Sequence, residues 1–229
     1  MTNKNVFSNQ DFYHIQKLVP SHQEWFKGQK HEIGLVYNYF YNGLRNHLGL
    51  FNYDYYKNKL IIKEIDEFIG LNETIETDDF KENYFNSLVK IRSLTSLVRD
   101  SQIFLRQYIK FIQEEIFEEV RVNHFPSLPS RQKCLFVTTF NEIENWLEIF
   151  KGSPYKILKL KLNGYFHRTS GIYIDADTYP LKDFYEKAKS YWSGEILNNN
   201  EIEYLFYGKL SIIDEYDSIS ELKKNMNVQ

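Results

Sequence analysis

Apolar residues recur at three- and four-residue spacing in two stretches in the middle of the chain, 55–69 and 101–123. This spacing places them on one side of an α-helix. In the second stretch the glutamates fall on the opposite side, where we expect solvent. The pattern predicts two amphipathic helices, and the second must end at Phe125 and Pro126. The apolar positions are Leu60, Ile61, Ile65, Phe68 and Ile69, then Leu105, Tyr108, Ile109, Ile112, Ile116 and Val120, with Glu114, Glu115, Glu118 and Glu119 on the acidic side.

Other segments have the composition of helices. An aromatic-rich stretch favours a helix although Gly43 and Gly49 interrupt it, since glycine weakens a helix interior. The acidic stretch 72–79 is typical of a loop whose end supplies an N-cap to the next helix. The predicted helices cover about 35–51, 79–99, 141–150 and 180–192.

Strand patterns lie at both ends of the chain. Residues 11–19 form a short aromatic and β-branched run that stops at Pro20, and Cys134–Val137 has the pattern of a buried strand. Residues 155–163 alternate, 164–175 follow after a turn containing glycine, and 203–213 complete the sheet. Strand-rich ends around a helical middle predict an α+β fold. We expect one domain over residues 1–229, with a helical insertion at about 35–125.

Composition narrows the class of protein. Hydrophobic residues make up 42% of the chain and aromatic residues 17%, which indicates a packed globular protein. The net charge of −3 gives no overall attraction to phosphate backbones. Cys134 is the single cysteine, so no internal disulfide can form, and the N-terminus lacks a secretory pattern. No apolar run reaches the ~20 residues that cross a bilayer. We therefore expect a cytoplasmic protein with no membrane partner.

Common catalytic motifs are missing from the sequence. It contains no phosphate-binding Gly-Lys-Ser/Thr loop, no GxGxxG and no Cys/His spacing for zinc. Asp175 and Asp177 are two apart, but an acidic turn after a strand explains them better than a metal site. We expect no metal.

Three short segments carry candidate chemistry. Glu201 and Glu203 stand two apart at the head of the last strand, so alternation points both to one face. His14 lies inside the first strand. Phe136 lies on the Cys134–Val137 strand, preceded by a Ser-Arg pair and followed by a helix that contains Trp146. Each segment alone also fits an ordinary structural role.

In this order the three segments resemble those of ADP-ribosyltransferases of the His-aromatic-Glu type. The run Glu203-Tyr204-Leu205-Phe206-Tyr207 is similar to the strand that opens with the catalytic Glu in that superfamily. The stretch 117–131 also resembles a little-characterised group of bacterial and phage proteins with this fold. The resemblance implies a split β-sheet core, and it leaves about 35–100 as an insertion. One position departs: Phe136 stands where related enzymes have Tyr, so the hydroxyl is lost.

The resemblance implies a role for each residue at an NAD⁺ site. Glu203 would stabilise positive charge on the ribose, as catalytic residue. His14 would hold the ribose, and Phe136 would stack on nicotinamide. Glu201 would orient the acceptor, or only cover a strand edge. Further NAD⁺-binding residues would be Ser130, Arg131 and Trp146, with Arg131 on the pyrophosphate or in a surface ion pair.

The sequence therefore predicts transfer of ADP-ribose from NAD⁺ to an unknown macromolecular acceptor, either protein or nucleic acid. A toxin or phage-defence effector fits this activity, with an antitoxin or inhibitor protein as a further partner. Two alternatives stay open: an NAD⁺ glycohydrolase, in which water is the acceptor, and a non-catalytic interaction module that keeps the fold.

Overall fold

A computed structural model of the chain describes residues 11–20, 23–49, 80–175, 180–197 and 201–226. These ranges contain both strands and helices, so the protein is of the mixed α+β class, as the sequence predicts. The elements in chain order are β1 (Phe12–Lys17), β2 (Lys30–Ile33), α1 (Tyr39–Gly49), α2 (Phe80–His124), β3 (Leu135–Thr139), α3 (Ile143–Ile149), β4 (Tyr155–Ser170), the 3-10 turns Gly171–Ile174 and Leu181–Asp183, α4 (Phe184–Ser193), β5 (Ile202–Tyr216) and α5 (Ile219–Met226).

The five strands form one antiparallel sheet in the order β2-β5-β3-β1-β4, and β4 also pairs with β5. The pairings β5–β3, β3–β1, β1–β4 and β4–β5 close a circuit of four strands. Strands β2 and β3 pair with successive parts of β5, at 208–211 and 204–206. This arrangement leaves few unpaired backbone groups along the four strands.

The face that the four strands share carries the first core cluster. Its members alternate along each strand, as residues on one side of a pleated sheet must. Phe12 stacks on Phe166 with ring centroids 4.9 Å apart, and its ring meets Tyr204 edge-on at 5.6 Å. We call this side the inner face. Its buried residues are Phe12, Val137, Leu158, Leu160, Ile202, Tyr204, Phe206, Leu210 and Ile212.

The opposite, outer face is covered by helices in two places. One cluster packs Leu205 of β5 against Phe117 and Val120 of α2 and Tyr191 of α4. The other packs Tyr13 of β1 and its strand neighbours against α3 and α5. Both clusters use the side chains that alternate with those of the inner face. The outer face of β2 and the adjoining parts of β4 and β5 is not part of either cluster.

Strand β4 runs without a break through Gly164, where the sequence predicts a turn. Gly164 lies directly opposite Gly208 of β5. A Cβ atom at Gly164 would lie 2.1 Å from the Tyr207 carbonyl oxygen, so the glycine permits a close approach of the two strands. The predicted turn is therefore wrong, because the glycine meets a backbone and does not reverse the chain.

Helix α2 combines the predicted helices 79–99 and 101–123, and it ends at His124, just before Phe125 and Pro126, as predicted. Its buried side differs from the predicted one. Leu105 and Tyr108 are exposed, whereas Glu114 is buried. The expectation that the glutamates all face solvent is wrong at Glu114, since an arginine from outside the helix supplies the opposite charge.

Other predicted elements are found with small shifts of their ends. Strands β1, β3 and β5 and helices α1, α3 and α4 lie where the patterns place them. The sequence patterns do not predict the short strand β2 or the C-terminal helix α5. The predicted helix 55–69 and the predicted loop 72–79 lie outside the described residues.

The chain divides into two compact units, residues 1–41 with 113–229, and residues 42–112. The first unit carries the sheet, α3, α4, α5 and the C-terminal end of α2. The second carries most of α1 and the preceding part of α2. That second unit lies within the range 35–125 of the predicted insertion.

Candidate functional site

Glu203, the expected catalytic residue, lies at the start of β5 on the outer face. It shares that face with Leu205, which pairs with Phe136 of β3. The Glu203 residue is only 5% exposed. A buried carboxylate needs a partner of opposite charge or several donors, because burial removes its hydration.

Arg131 supplies that partner from the turn between α2 and β3. Its Nη1 lies 2.5 Å from Oε2 of Glu203, and its Nη2 lies 3.0 Å from Oε1 of Glu114 on α2. Burial alone lowers the pKa of Arg131, but the carboxylates of Glu114 and Glu203 outweigh it and hold the pKa well above its usual value. The guanidinium is thus a fixed cation between two buried carboxylates.

Tyr191 of α4 completes the hydrogen bonding of this pair. Nη1 of Arg131 donates to the Tyr191 hydroxyl at 2.5 Å, and the hydroxyl donates to Oε2 of Glu203 at 2.8 Å. Burial, together with the charge of Glu203, raises the pKa of Tyr191 well above its usual value despite Arg131. The phenol therefore stays protonated and serves Glu203 as a donor. We call Glu114, Arg131, Tyr191 and Glu203 the buried ion network.

Aromatic rings border the network on the same face. The guanidinium carbon of Arg131 lies 5.2 Å from the centroid of the Phe136 ring and 5.0 Å from that of Tyr191. These distances fall in the range of cation–π contacts. The predicted trio of Glu203, Arg131 and Phe136 is therefore brought together, with a flat ring beside a carboxylate and a guanidinium.

His14 lies elsewhere. It pairs with Leu158, a residue of the inner face, and its ring lies 5.7 Å from that of Trp25, also packed against the inner cluster. Glu203 and Phe136 face outward, so a single cleft lined by all three side chains, as the sequence predicts, is not the observed arrangement. The reason is the register, since alternation sends His14 inward.

The link between His14 and this region is a backbone contact. Pairing of β1 with β3 ends at Tyr13 and Thr138, and beyond it Nδ1–H of His14 donates to the Phe136 carbonyl at 2.9 Å. Burial lowers the pKa of His14 to about 4, more than this hydrogen bond raises it. The imidazole is therefore neutral at neutral pH and ties the strand of Phe136 to β1.

The other predicted residues have separate contacts. The Ser130 hydroxyl donates to Oε2 of Glu118 at 2.9 Å, and Nε1 of Trp146 donates to the Ile202 carbonyl at 3.3 Å. Trp146 thus supports the start of β5 one residue before Glu203. Glu201 is exposed, and its carbonyl accepts from the Gly171 amide at 2.6 Å. In these contacts Ser130, Trp146 and Glu201 do not touch the carboxylate of Glu203.

The sequence patterns do not identify two residues of the buried ion network, Tyr191 and Glu114. Tyr191 belongs to a predicted helix, but nothing in the aromatic pattern separates it from ordinary core. The helical pattern predicts Glu114 on the solvent side of α2. A signal for its burial exists, since Gln113, Glu114, Phe117 and Val120 follow helical spacing, but a stripe that includes two polar residues does not look apolar.

Cys134 lies beside the network and is buried. Burial raises the pKa of its thiol well above the usual value, more than the charge of Arg131 lowers it. A protonated, enclosed thiol is a poor nucleophile.

Within the described ranges no three His, Cys, Asp or Glu side chains form a group that could hold a metal ion. No helix in that part of the chain is long and apolar enough to cross a membrane.

Comparison with protein families gives a match over most of the chain. The family model described as "Protein of unknown function (DUF2441)" matches residues 12–220, from the first residue of β1 to the start of α5. All the residues discussed above fall inside this range. A comparison with curated proteins finds no match.

Proposed function

We propose that this chain, which belongs to the DUF2441 family, transfers ADP-ribose from NAD⁺ to a macromolecular acceptor. The observation that supports the proposal best is that Arg131 contacts both Glu203 and Phe136, whose side chains share the outer face of two paired strands. A carboxylate, a guanidinium and a flat ring are the groups that the ribose, the pyrophosphate and the nicotinamide of NAD⁺ would require.

In the proposed reaction the bond between nicotinamide and C1′ of ribose breaks, and nicotinamide leaves with the bonding electron pair. Positive charge develops on the ribose, and the Glu203 carboxylate stabilises it. A nucleophilic atom of the acceptor then bonds to C1′ and loses its proton to solvent. With water as that nucleophile, the same site would hydrolyse NAD⁺.

Binding requires the buried ion network to rearrange. In the structure Arg131 forms an ion pair with the Glu203 carboxylate, and both side chains are almost fully buried. Glu203 receives a single guanidinium contact, from Nη1 of Arg131. We infer that the pyrophosphate of NAD⁺ draws Arg131 from Glu203, because phosphate oxygens can bind a guanidinium through two parallel hydrogen bonds. The freed carboxylate then faces the ribose. Glu114 remains to balance part of the charge on Arg131.

His14 has a changed role in this proposal. It does not contact the ribose, because it faces the inner side of the sheet. Instead its hydrogen bond to the Phe136 carbonyl fixes the strand that carries the nicotinamide-stacking ring. His14 is therefore a positioning residue.

A non-catalytic interaction module is the second candidate, and one observation favours it. The Glu203 carboxylate already has two donors and is 5% exposed, as expected of a structural ion pair. Removing one member of such a pair is strongly destabilising whether or not the site is catalytic. Stability alone therefore does not separate the two functions, and turnover must be measured.

The test is release of nicotinamide from NAD⁺ labelled in the nicotinamide ring. We expect release by the wild-type protein and a loss of about a hundredfold or more in Glu203→Gln, the scale on which removing a preorganised electrostatic group acts. Glu201→Gln, two positions away and exposed, is the matched control. Because its expected role concerns the acceptor alone, it should leave nicotinamide release without an acceptor unchanged. Circular dichroism establishes that each variant is folded.

Because Glu203→Gln breaks a buried ion pair, the test needs a second variant in which all the charges are kept. Phe136→Leu retains the ion network and removes only the ring, so it should raise the KM for NAD⁺ more than it lowers kcat. Absence of nicotinamide release by the folded wild-type protein, alone or with candidate acceptors, would favour the interaction module.

A further inference from the structure

The outer face of β2, β4 and β5 carries three exposed lysines, and two tyrosines lie at one end of this group. Lys30, Ser211 and Lys161 lie side by side across the three strands, and Glu32, Lys209 and Asn163 form the next row. Two positions farther along β4 and β5, Tyr165 pairs with Tyr207. We call this surface the tyrosine–lysine face; it comprises Lys30, Glu32, Lys161, Asn163, Tyr165, Tyr207, Lys209 and Ser211.

Alternation fixes the direction of these side chains. Leu162 and Phe166 of β4 and Phe206 and Leu210 of β5 pack in the inner cluster. The residues between them must point outward. They are exposed or half-buried, and the lysine end surrounds a shallow groove of about 500 Å³. The surface is therefore open to a partner.

The two tyrosines offer flat, accessible rings. Tyr165 is 49% exposed and Tyr207 is 36% exposed, and their centroids are 6.4 Å apart. Gly34 makes room for the second ring, since a Cβ atom there would lie 1.8 Å from a Tyr207 ring carbon. Gly34 has φ of +108°, a conformation that other residues rarely adopt. Tyr207 is thus seated directly on the backbone while one side stays in solvent.

The charge of the face is opposite to that of the whole chain. Lys30, Lys161 and Lys209 form no ion pair with any residue that the structure describes, and Glu32 is the one carboxylate among the groove residues. Three cations against one anion leave a local excess of positive charge, whereas the chain carries −3. Lysines without partners on a half-buried sheet surface are free to bind phosphate.

We propose that the tyrosine–lysine face binds single-stranded nucleic acid. Unpaired bases stack on exposed aromatic rings whatever their sequence, and lysines contact the phosphates between them. From Tyr165 to Lys161 the strand spans about 13 Å, at ~3.3 Å per residue. That length suits a chain of several nucleotides better than one phosphate. Asn163 and Ser211 add hydrogen-bonding groups along the same line.

Binding to this face does not depend on NAD⁺ cleavage, because none of its residues belongs to the buried ion network. A role for the bound strand as the ADP-ribose acceptor would rest on the proposed function. The two proposals therefore fail separately: binding is measured without NAD⁺, and nicotinamide release without nucleic acid.

The experiment is fluorescence anisotropy with labelled oligo-dT and oligo-U of about 12 nucleotides, within the site sizes known for such surfaces. We expect saturable binding that weakens with salt. Tyr165→Ala with Tyr207→Ala should weaken it about tenfold or more, and the two Tyr→Phe changes should restore it, since stacking needs the ring and not the hydroxyl. Lys161→Ala with Lys209→Ala should reduce the dependence of log Kd on log salt concentration by ~0.7 for each phosphate that is no longer neutralised by a lysine.

Lys151→Ala with Lys224→Ala, exposed lysines outside this face, is the matched control and should leave Kd unchanged. Heparin and duplex DNA test whether the face binds any polyanion or prefers single-stranded nucleic acid. If they bind as tightly as the single strands and the Tyr→Ala changes have no effect, the proposal is overturned. It is equally overturned if no single strand binds at low salt.

Discussion

The Glu203 carboxylate is held by two donors whose removal has different consequences. Arg131 balances its charge, while the Tyr191 hydroxyl only adds a hydrogen bond. Because a charged acceptor strengthens a hydrogen bond, the hydroxyl still contributes measurably to the free energy of unfolding.

Tyr191→Phe should lower the free energy of unfolding by about 1.5–3 kcal/mol, the usual contribution of a hydrogen bond to a charged group. Tyr185→Phe is the matched control on the same helix, where an exposed hydroxyl donates to Glu119 at 2.6 Å. We expect that control to change stability by less than about 0.5 kcal/mol. Urea unfolding measures both, and equal losses in the two variants would contradict a special role for the buried hydroxyl.

Two buried histidines make stability depend on pH. Burial lowers the pKa of His14 and of His167 to about 4, against an ordinary value of 6.5. Between these values the unfolded chain binds protons that the folded chain does not. The stabilisation is therefore complete above pH 6.5 and is lost as the pH falls toward 4.

Each histidine should contribute up to about 1.4 kcal/mol per pH unit to this loss. Urea unfolding at pH 7, 6 and 5 measures it. His14→Gln and His167→Gln should each flatten the dependence. A slope that stays the same in the His14 variant would mean that folding does not lower the pKa of His14.

Within the secondary-structure elements, replacing a glycine by alanine should change stability in opposite directions in a closely paired strand and in a helix. A Cβ atom at Gly164 would collide with the backbone of β5, whereas one at Gly43 of α1 meets nothing within 4 Å. Gly164→Ala should therefore destabilise the protein by about 1–3 kcal/mol, as overpacking does. Gly43→Ala should stabilise it by roughly 0.5–1 kcal/mol, because alanine favours helix. Thermal unfolding of the two variants should shift in opposite directions.

Elements with a regular pattern are predictable from the sequence. Strands β1, β3 and β5 and helix α3 follow from local periodicity alone. Strand β2 is missed, because four residues, Lys30–Ile33, are too few to show alternation. The predicted turn at Gly164 is wrong because the effect of this glycine depends on Gly208, far along the chain. The predicted buried side of α2 is wrong because Glu114 is buried only when Arg131 provides its counter-ion.

The candidate site is predictable in part for the same reason. The resemblance predicts that Arg131, Phe136 and Glu203 meet at one site, and in the structure Arg131 contacts both of the other residues. The sequence does not determine the face of the sheet on which the His14 side chain lies, because a shift of one residue in strand register moves a side chain to the other face. Tyr191 and Glu114 come from helices whose rotation against the sheet is set by packing, which local periodicity does not encode.

In the whole molecule, the closed circuit of four strands determines which side chains form the core and which form the candidate site. The circuit of β5, β3, β1 and β4 holds the inner face as a core and turns Glu203, Phe136 and Arg131 outward, under α2 and α4. The same alternation leaves the tyrosine–lysine face open farther along β4 and β5. The pair of long strands β4 and β5 thus contributes Glu203 to the buried ion network at one end and carries an exposed cationic surface at the other.

We expect the buried ion network to open when NAD⁺ binds. A crystal structure of the protein with a carbocyclic NAD⁺ analogue, which cannot release nicotinamide, would show whether it does. We predict that Arg131 leaves Glu203 and contacts the pyrophosphate, with the nicotinamide against Phe136 and the Glu203 carboxylate at the ribose. An analogue bound elsewhere, or no bound analogue, with Arg131 still 2.5 Å from Glu203, would contradict it.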